Sequence, residues 1–203
     1  MNAFIYLASQ SPRRRQLLEQ MGVESRLLLA EAGEDAERLE AVRADEEPAS
    51  YVRRVTGLKL DAAMARLSRL GARGEPMAPV LCADTTVALG QRIYGKPRDG
   101  RDAARMLRDL AGKTHRVVTA VAVQAGERRL EATSDSRVTF GELTDSRIEA
   151  YVRSGEPIDK AGAYAVQGRA AMFIARIEGS YSGIMGLPMF ETAQLLRQAG
   201  FEL

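Results

Sequence analysis

The sequence predicts an α/β domain with additional antiparallel strands in its second half. Short apolar runs typical of strands alternate with amphipathic segments typical of helices along most of the chain. Residues 114–123 and 128–140 alternate polar and apolar side chains and are rich in β-branched residues, which favours an antiparallel pair. The chain has 203 residues, 45% of them hydrophobic, and neither an internal repeat nor a low-complexity segment, so we expect a sizeable core.

The first half of the chain predicts two strands and two helices. Residues 4–8 form a short apolar run, which indicates a buried strand. Ser11 and Pro12 predict the start of the first helix, because serine is a favoured N-cap and proline fits the first helical turn. Residues 26–31 predict a second strand, and the amphipathic pattern of residues 49–70 predicts a long helix.

The rest of the chain continues this alternation. Residues 79–83 predict a short apolar strand that ends at Asp84, and residues 86–94 predict further extended structure with a turn near Gly90. Apolar periodicity and helix-boundary residues predict three more helices, at residues 98–110, 144–153 and 187–199.

Composition excludes several classes of protein. Cys82 is the only cysteine and His115 the only histidine, which excludes a disulfide framework, a cysteine zinc site and any metal site with two histidines. The 29 basic and 27 acidic residues are too evenly balanced for a protein that depends on nucleic-acid binding. No apolar run reaches the roughly 20 residues of a membrane helix, and the N-terminus has no signal-peptide pattern, so we expect no membrane partner.

A polar turn with three consecutive arginines joins the first strand to the first helix, in the sequence Ala-Ser-Gln-Ser-Pro-Arg-Arg-Arg at residues 8–15. Free backbone N–H groups and the helix dipole make such a turn electropositive, and arginines there are unfavourable unless an anion offsets them. A polyphosphate fits, because guanidinium groups match phosphate oxygens. The alternative is a solvated basic turn whose arginines pair with Glu19 or another neighbour.

Asp84 is the first candidate for catalysis, because it directly follows an apolar strand, and ligands bind at the carboxyl ends of strands in open α/β sheets. It could bind a divalent metal, activate a water molecule, or only form a turn at the strand end. The basic residues are almost all arginine, so the few lysines are candidates for positions that need a compact ammonium group. These are Lys59, Lys96, Lys113 and Lys160.

Two glycine-rich stretches near the C-terminus are candidates for substrate contact. In residues 156–168, Gln167 could read the edge of a nucleobase, because its amide both donates and accepts hydrogen bonds. Tyr164 in the same stretch could stack on a base or pack in the core. Residues 177–188 form a Gly/Ser-rich loop before a helix, a pattern suited to anion contact.

Taken together and in this order, these segments resemble the Maf family of nucleoside triphosphate pyrophosphatases. The segments are LASQSPRRR, ADTTV, YGKPRD, GKTHRVVTAV, GEPIDKAGAYAVQG and IEGSYSGIMGLP, and they span essentially the whole chain. The resemblance implies a mixed central sheet flanked by helices, related to the inosine-triphosphate pyrophosphatase architecture. It also implies a single domain over residues 1–203, with two lobes around an active-site cleft.

The resemblance further implies an enzyme that hydrolyses nucleoside triphosphates to monophosphate and pyrophosphate with Mg²⁺ or Mn²⁺, as a cytoplasmic homodimer. By motif, Asp84 matches the proton acceptor and a metal ligand. Glu34 matches the acidic metal residue, with Asp35 as the alternative because the usual Asp-Glu order is reversed here. The other matching positions bind substrate: Ser9, Arg13, Arg14, Lys59, Lys96 and Lys160.

Three positions distinguish sub-groups of the family. Arg13, Thr85 and Gln167 match the group that acts on dTTP and UTP, and Thr85 and Gln167 would offer neutral groups to a uracil or thymine edge. The group that acts on 7-methyl-GTP has Trp, Gln and Glu at these positions and is the alternative, together with a non-catalytic nucleotide-binding regulator. Ala165 departs from the family's usual glycine.

Overall fold

The computed structural model describes residues 4–31, 34 and 37–203, and these residues form one seven-stranded mixed sheet with helices on both faces. The strands are β1 (Ile5–Leu7), β2 (Ser25–Leu27), β3 (Val80–Leu89), β4 (Arg92–Tyr94), β5 (Thr114–Ala125), β6 (Arg128–Phe140) and β7 (Ile174–Glu178). The helices are α1 (Pro12–Gln20), α2 (Pro48–Gly71), α3 (Gly100–Leu110), α4 (Asp145–Arg153), α5 (Tyr181–Met185) and α6 (Met189–Gln198). The predicted α/β class is therefore confirmed.

Short 3₁₀ helices supplement these elements at Glu37–Glu40, Ala161–Ala163 and Arg169–Phe173. In the part of the chain that the structure describes, no helix is both long and apolar enough to cross a membrane.

The sheet is parallel at one end and antiparallel at the other. Its strand order is β2-β1-β3-β5-β6-β7, with β4 paired to β3 outside this path. The pairs β1–β2 and β1–β3 are parallel, whereas β3–β4, β3–β5, β5–β6 and β6–β7 are antiparallel. The predicted antiparallel pair is confirmed: β5 and β6 form a long hairpin whose register runs from Thr114↔Thr139 to Ala125↔Arg128.

The two faces of the sheet carry different helices, because successive side chains of a strand point to opposite faces. On β3, Val80 and Cys82 pack with residues of α2, such as Leu60. Leu81 packs on the other face, with residues of α1 and α6 such as Leu18. Helices α3 and α4 continue this second layer over the antiparallel end. The result is a three-layer arrangement in which the edges of the layers can form a cleft.

Helix α2 is the longest element and begins one residue before its predicted start. The Glu47 side chain accepts a hydrogen bond from the Ser50 backbone N–H at 3.0 Å, and Pro48 occupies the first helical position. Both features stabilise a helix N-terminus. Its buried face includes Val52 and Leu60, and this face lies against the centre of the sheet.

Strand β3 differs from its prediction in a way that matters for the site. Asp84 was expected just after the end of a strand, but β3 continues to Leu89, and Asp84 pairs with Ala120 of β5. The mostly buried, β-branched residues that follow Asp84 extend the antiparallel pairing. What ends here is β1, whose parallel pairing stops at Leu7↔Leu81. Among the described residues, Asp84 therefore has a paired strand only on the β5 side; it is largely buried and does not form a turn.

Candidate active site

A cleft of about 1260 Å³ lies beyond the end of β1, between α2 and the turns that precede α1 and α6. The sequence predicts ten site residues, and the cleft brings all of them together along its walls. They are Ser9, Arg13, Arg14, Glu34, Lys59, Asp84, Thr85, Lys96, Lys160 and Gln167. Because these residues come from separate segments spread over the chain, their convergence makes this cleft the candidate active site.

An ion triad of two carboxylates and one lysine lies at the floor of the cleft. Lys59 Nζ is 2.6 Å from Asp84 Oδ1 and 2.6 Å from Glu40 Oε1. Burial opposes the charge of Lys59, yet the two carboxylates raise its pKa. Burial likewise opposes the charge of Glu40, but Lys59, followed by Lys96 and Arg14, lowers its pKa. Lys59 and Glu40 therefore both stay charged at neutral pH.

Contacts from α2 hold the segment that carries Glu40. Tyr51 Oη donates a hydrogen bond to the backbone carbonyl of Glu40 at 3.0 Å, and burial raises the pKa of this phenol. Arg54 donates to the carbonyl of Ala41 at 2.9 Å and pairs with Glu46 at 2.6 Å. The Arg54–Glu46 pair is largely buried, so the chain at Glu40 and just after it is anchored to the helix that provides Lys59.

Glu34 has different partners from Asp84. Its carboxylate is 2.6 Å from Arg66 Nη1 and 3.0 Å from Arg69 Nη2, farther along α2 than Lys59. The metal role predicted for Glu34 stays a prediction, and Asp35 lies outside the described residues. Sequence reasoning missed Glu40, because eight acidic residues lie between positions 31 and 47 and no spacing marks the one that returns to Lys59.

The two carboxylates of the ion triad are suited to a divalent metal ion that takes its remaining ligands from the substrate. Within the described ranges there is no cluster of three or more Asp, Glu, His or Cys side chains suited to hold a metal ion. Mg²⁺ commonly uses only one or two carboxylates and takes its remaining ligands from phosphates and water. Asp84 and Glu40 supply two such carboxylates, which converge on a single point that is held here by the Lys59 ammonium.

Two of the three consecutive arginines, Arg13 and Arg14, line the cleft on the side of the turns that precede α1 and α6. Arg14 Nε donates to the Gly186 carbonyl at 2.8 Å and Arg14 Nη1 donates to Ser9 Oγ at 3.1 Å. Arg13 Nε donates to the Met185 carbonyl at 3.4 Å, and burial followed by the charge of Arg14 lowers the pKa of Arg13. This adjacent pair of half-buried cations is suited to a polyphosphate.

Arg15 has a different role, which the alternative interpretation of the basic turn anticipated. Its Nε lies 3.1 Å from Glu19 Oε1 in an exposed pair on the surface of α1. Such exposed pairs contribute little to stability. Of the three arginines in the basic turn, two line the cleft and Arg15 lies on the surface.

The Gly/Ser-rich turn at residues 177–188 does not offer the expected anion-binding amides. The N–H groups of Gly186 and Leu187 are used inside the turn, where both donate to the Ser182 carbonyl. The turn instead presents backbone carbonyls, and Arg13 and Arg14 donate to two of them. These two carbonyls therefore help to hold Arg13 and Arg14 in place.

The remaining predicted cations lie near the mouth of the cleft. Lys96 is exposed on the loop after β4, whereas Lys160 is half-buried before the 3₁₀ helix Ala161–Ala163. Burial, followed by the charge of Arg13, lowers the pKa of Lys160, so Arg13 and Lys160 share one cationic region.

Gln167 and Thr85, the two residues expected at the base, have different surroundings. Gln167 is exposed at the cleft, and among the described residues its amide has no hydrogen-bond partner. Thr85 Oγ1 is 2.8 Å from Thr119 Oγ1 and 3.5 Å from Arg14 Nη2. A base would find the Gln167 amide available, whereas the Thr85 hydroxyl already has protein partners.

Tyr164 and His115 belong to the core. His115 is 2% exposed, its Nε2 lies 2.8 Å from Tyr164 Oη, and burial lowers its pKa to about 4. Tyr164 is 6% exposed and packs edge-on against Phe140, with ring centroids 4.9 Å apart. Of the two interpretations of Tyr164, the structure shows packing.

The fold and the site together define a class of protein. It has a mixed α/β sheet and, beyond the end of β1, a cleft that combines a pair of carboxylates with cations suited to phosphate. The family model described as "Maf-like protein" matches residues 4–199, and the chain belongs to the Maf family.

Relatives match the chain over nearly its full length. A protein of Albidiferax ferrireducens is 62% identical over 203 residues, which cover 100% of both chains. A protein of a Polaromonas species is 62% identical and one of Cupriavidus metallidurans 61% identical, each over 200 residues and 98% of both chains. All three relatives carry the name "dTTP/UTP pyrophosphatase".

Proposed function

We propose that this chain hydrolyses dTTP and UTP to the nucleoside monophosphate and pyrophosphate. The observation that carries the proposal is the Asp84–Lys59–Glu40 triad, which faces the same cleft as Arg13 and Arg14. A phosphate-binding regulator would have no need for two carboxylates beside its anion, because they repel phosphate. The names and the full-length identity of the relatives support the same activity.

In the reaction, a water oxygen bonds to the α-phosphorus and the bond from that phosphorus to the α,β-bridging oxygen breaks. Pyrophosphate leaves with the electrons of the broken bond, and the proton of the water passes to Asp84. Lys59 orients the Asp84 carboxylate through its 2.6 Å ion pair. Arg13 and Arg14 neutralise the charge on the phosphates, which is the main requirement in phosphoryl transfer.

A divalent cation, Mg²⁺ or Mn²⁺, would be held by Asp84 and Glu40. When bound, it would neutralise phosphate charge and polarise the reacting phosphoryl group. Lys59 pairs with the same two carboxylates and offsets one of their two negative charges. Glu34 remains the second candidate for this role, and the two glutamates are separable by substitution.

Base selection is assigned to Gln167, one of the three positions that distinguish the sub-groups. The exposed Gln167 amide can donate to a uracil or thymine carbonyl and accept from the ring N3–H. We further infer that residues 1–203 form a single domain with two lobes around the cleft, and that it acts as a cytoplasmic homodimer. Sedimentation of the purified protein measures the homodimer directly.

The reaction is tested with purified protein, UTP and Mg²⁺, by scoring pyrophosphate against orthophosphate. We expect pyrophosphate as the first product and no turnover in EDTA. Asp84→Asn keeps the shape of the side chain and should lower kcat at least about 10²-fold, the lower end of what general-base catalysis contributes. Circular dichroism checks that the variant folds. Orthophosphate as the first product, or near wild-type turnover of a folded Asp84→Asn variant, would contradict the mechanism.

A further inference from the structure

Thr119 is a fully buried residue on the side of the cleft that carries Arg13 and Arg14. It lies on β5 directly opposite Thr85 of β3 and is 0% exposed. Its Oγ1 is 2.8 Å from Thr85 Oγ1 and 2.8 Å from the backbone carbonyl of Gly183. Thr119 itself does not line the cleft, so any effect on substrate must pass through another residue.

The chemistry of these groups sets the direction of the hydrogen bonds. A carbonyl can only accept, so the single Thr119 proton goes to Gly183. Thr119 must then accept from Thr85, which uses the single Thr85 proton. Thr85 Oγ1 is left as an acceptor, and it faces Arg14 Nη2 at 3.5 Å. The chain of donors therefore runs from Arg14 through Thr85 and Thr119 to Gly183.

The same threonine supports Arg14 by a second route. Gly183 lies in the short helix α5, and Gly186 follows at the end of that helix. The Gly186 carbonyl accepts from Arg14 Nε at 2.8 Å. Because Thr119 fixes the α5 turn at Gly183, it also fixes the carbonyl that orients the guanidinium. Arg14 is thus linked to Thr119 both through Thr85 and through the turn.

We propose that Thr119 is a positioning residue for Arg14, and that Thr85 acts with it on the phosphates of the substrate and not on the base. The inference rests on the proposed function, in which Arg14 binds the triphosphate. Thr85 cannot donate to a nucleobase while its proton is used by Thr119. The consequence is that loss of the Thr119 hydroxyl weakens binding of every nucleoside triphosphate by one common factor.

The probe is inorganic tripolyphosphate, which has the phosphates of the substrate but neither base nor sugar. Its affinity is measured by calorimetry for the wild type, Thr119→Val, Thr119→Ser and the control Thr192→Val. Thr192 is also 0% exposed, but its hydroxyl has no hydrogen-bond partner among the described residues. We expect Thr119→Val to bind about 5- to 20-fold more weakly, the size of one hydrogen bond, with Thr119→Ser and Thr192→Val within about 2-fold of wild type.

Steady-state kinetics supply the second readout. In Thr119→Val, KM for UTP and for dTTP should rise by the same factor, with a smaller change in kcat. Unchanged tripolyphosphate affinity in folded Thr119→Val, a loss confined to one nucleotide, or a Thr119→Ser variant as weak as Thr119→Val would overturn the proposal. If Thr119→Val does not fold, Thr85→Val tests the same link from the cleft side, with the same expected and overturning results.

Binding and hydrolysis separate this inference from the proposed function. A wild type that binds tripolyphosphate but releases no pyrophosphate from UTP contradicts the proposed function, while the comparison of affinities still decides the role of Thr119.

Discussion

Exchange of Glu40 or Glu34 for glutamine separates the two candidates for the second carboxylate. Each substitution removes one negative charge and preserves the size of the side chain. Glu40 shares Lys59 with Asp84, whereas Glu34 pairs with Arg66 and Arg69. Glu40→Gln should therefore lose catalytic activity, whereas Glu34→Gln should lose stability.

The structure sets the size of each effect. In Glu40→Gln, Lys59 keeps Asp84 as a partner and the Glu40 side chain is 31% exposed, so the free energy of unfolding should change by less than about 1 kcal/mol. Loss of a metal carboxylate should lower kcat/KM for UTP at least about 10²-fold.

In Glu34→Gln, the Arg66 side chain is only 8% exposed and loses its 2.6 Å partner. Breaking a fully buried pair costs about 3–5 kcal/mol, and the 29% exposure of Glu34 reduces this to about 1–2 kcal/mol. In a protein of this length the melting temperature should fall by about 2–8 °C, with kcat/KM within about 5-fold of wild type.

The assay is a Mg²⁺ titration of pyrophosphate release from UTP, paired with a thermal melting curve for each variant. Glu40→Gln should need more Mg²⁺ for half-maximal rate, and Glu34→Gln should melt early with an unchanged Mg²⁺ requirement. A Glu34→Gln variant with a raised Mg²⁺ requirement, beside a Glu40→Gln variant close to wild type, would refute the assignment of Glu40 and establish Glu34.

Two further predictions concern the base and the core. Gln167→Glu replaces a donor with a charged acceptor, so kcat/KM for UTP should fall about 5- to 150-fold. Turnover of 7-methyl-GTP should be unchanged or improved, since its N1–H and N2–H₂ groups can donate to a carboxylate. The folded-state pKa of His115, about 4, lies below its ordinary 6.5, so stability should fall as pH drops through this window, by about 3 kcal/mol in total. His115→Phe should remove that part of the pH dependence in denaturant titrations.

Each of these predictions has its own control. A uniform loss for UTP and 7-methyl-GTP, with a lower melting temperature, would show that Gln167 only supports its loop. Carboxylates also titrate in acid, but they do so in both the wild type and His115→Phe, so the difference in slope isolates the histidine. Equal slopes would mean that His115 has the same pKa in the folded and unfolded states, which contradicts the lowered pKa.

Most of the fold could be predicted from local patterns. The alternation in β5 and β6 and the amphipathic pattern of α2 predict their elements to within a few residues. The ends of the strands could not be predicted in this way, because they depend on pairing with neighbouring strands. Strand β3 continues past Asp84 because β5 pairs with it there. Strand β2 ends at Leu27 and not at the predicted residue 31. Strand limits are properties of the sheet, and a local sequence window does not contain them.

The candidate site was predictable where a motif is short and self-contained. The turn at Ser9–Arg14 and the Asp84 segment could be recognised from sequence, and the cleft contains both. Glu40 was missed because its partnership with Lys59 spans 19 residues and depends on how the chain folds back onto α2. The roles of the Ser180–Gly186 turn and of Thr119 were missed for a similar reason, since only the structure shows which atoms of a loop face inward.

Strand β3 places two adjacent residues in two different layers of the protein. Asp84 points to the α2 layer, where Lys59 lies, while Thr85 points to the opposite layer, where Arg14 and Thr119 lie. In the proposed mechanism, these adjacent residues therefore have separate roles: Asp84 takes up the proton, and Thr85 supports phosphate binding through Arg14. Substitutions around position 85 can therefore change phosphate binding and leave the surroundings of Asp84 unchanged. A single residue inserted before Asp84 would instead turn both side chains to the wrong face of the sheet and disrupt both roles.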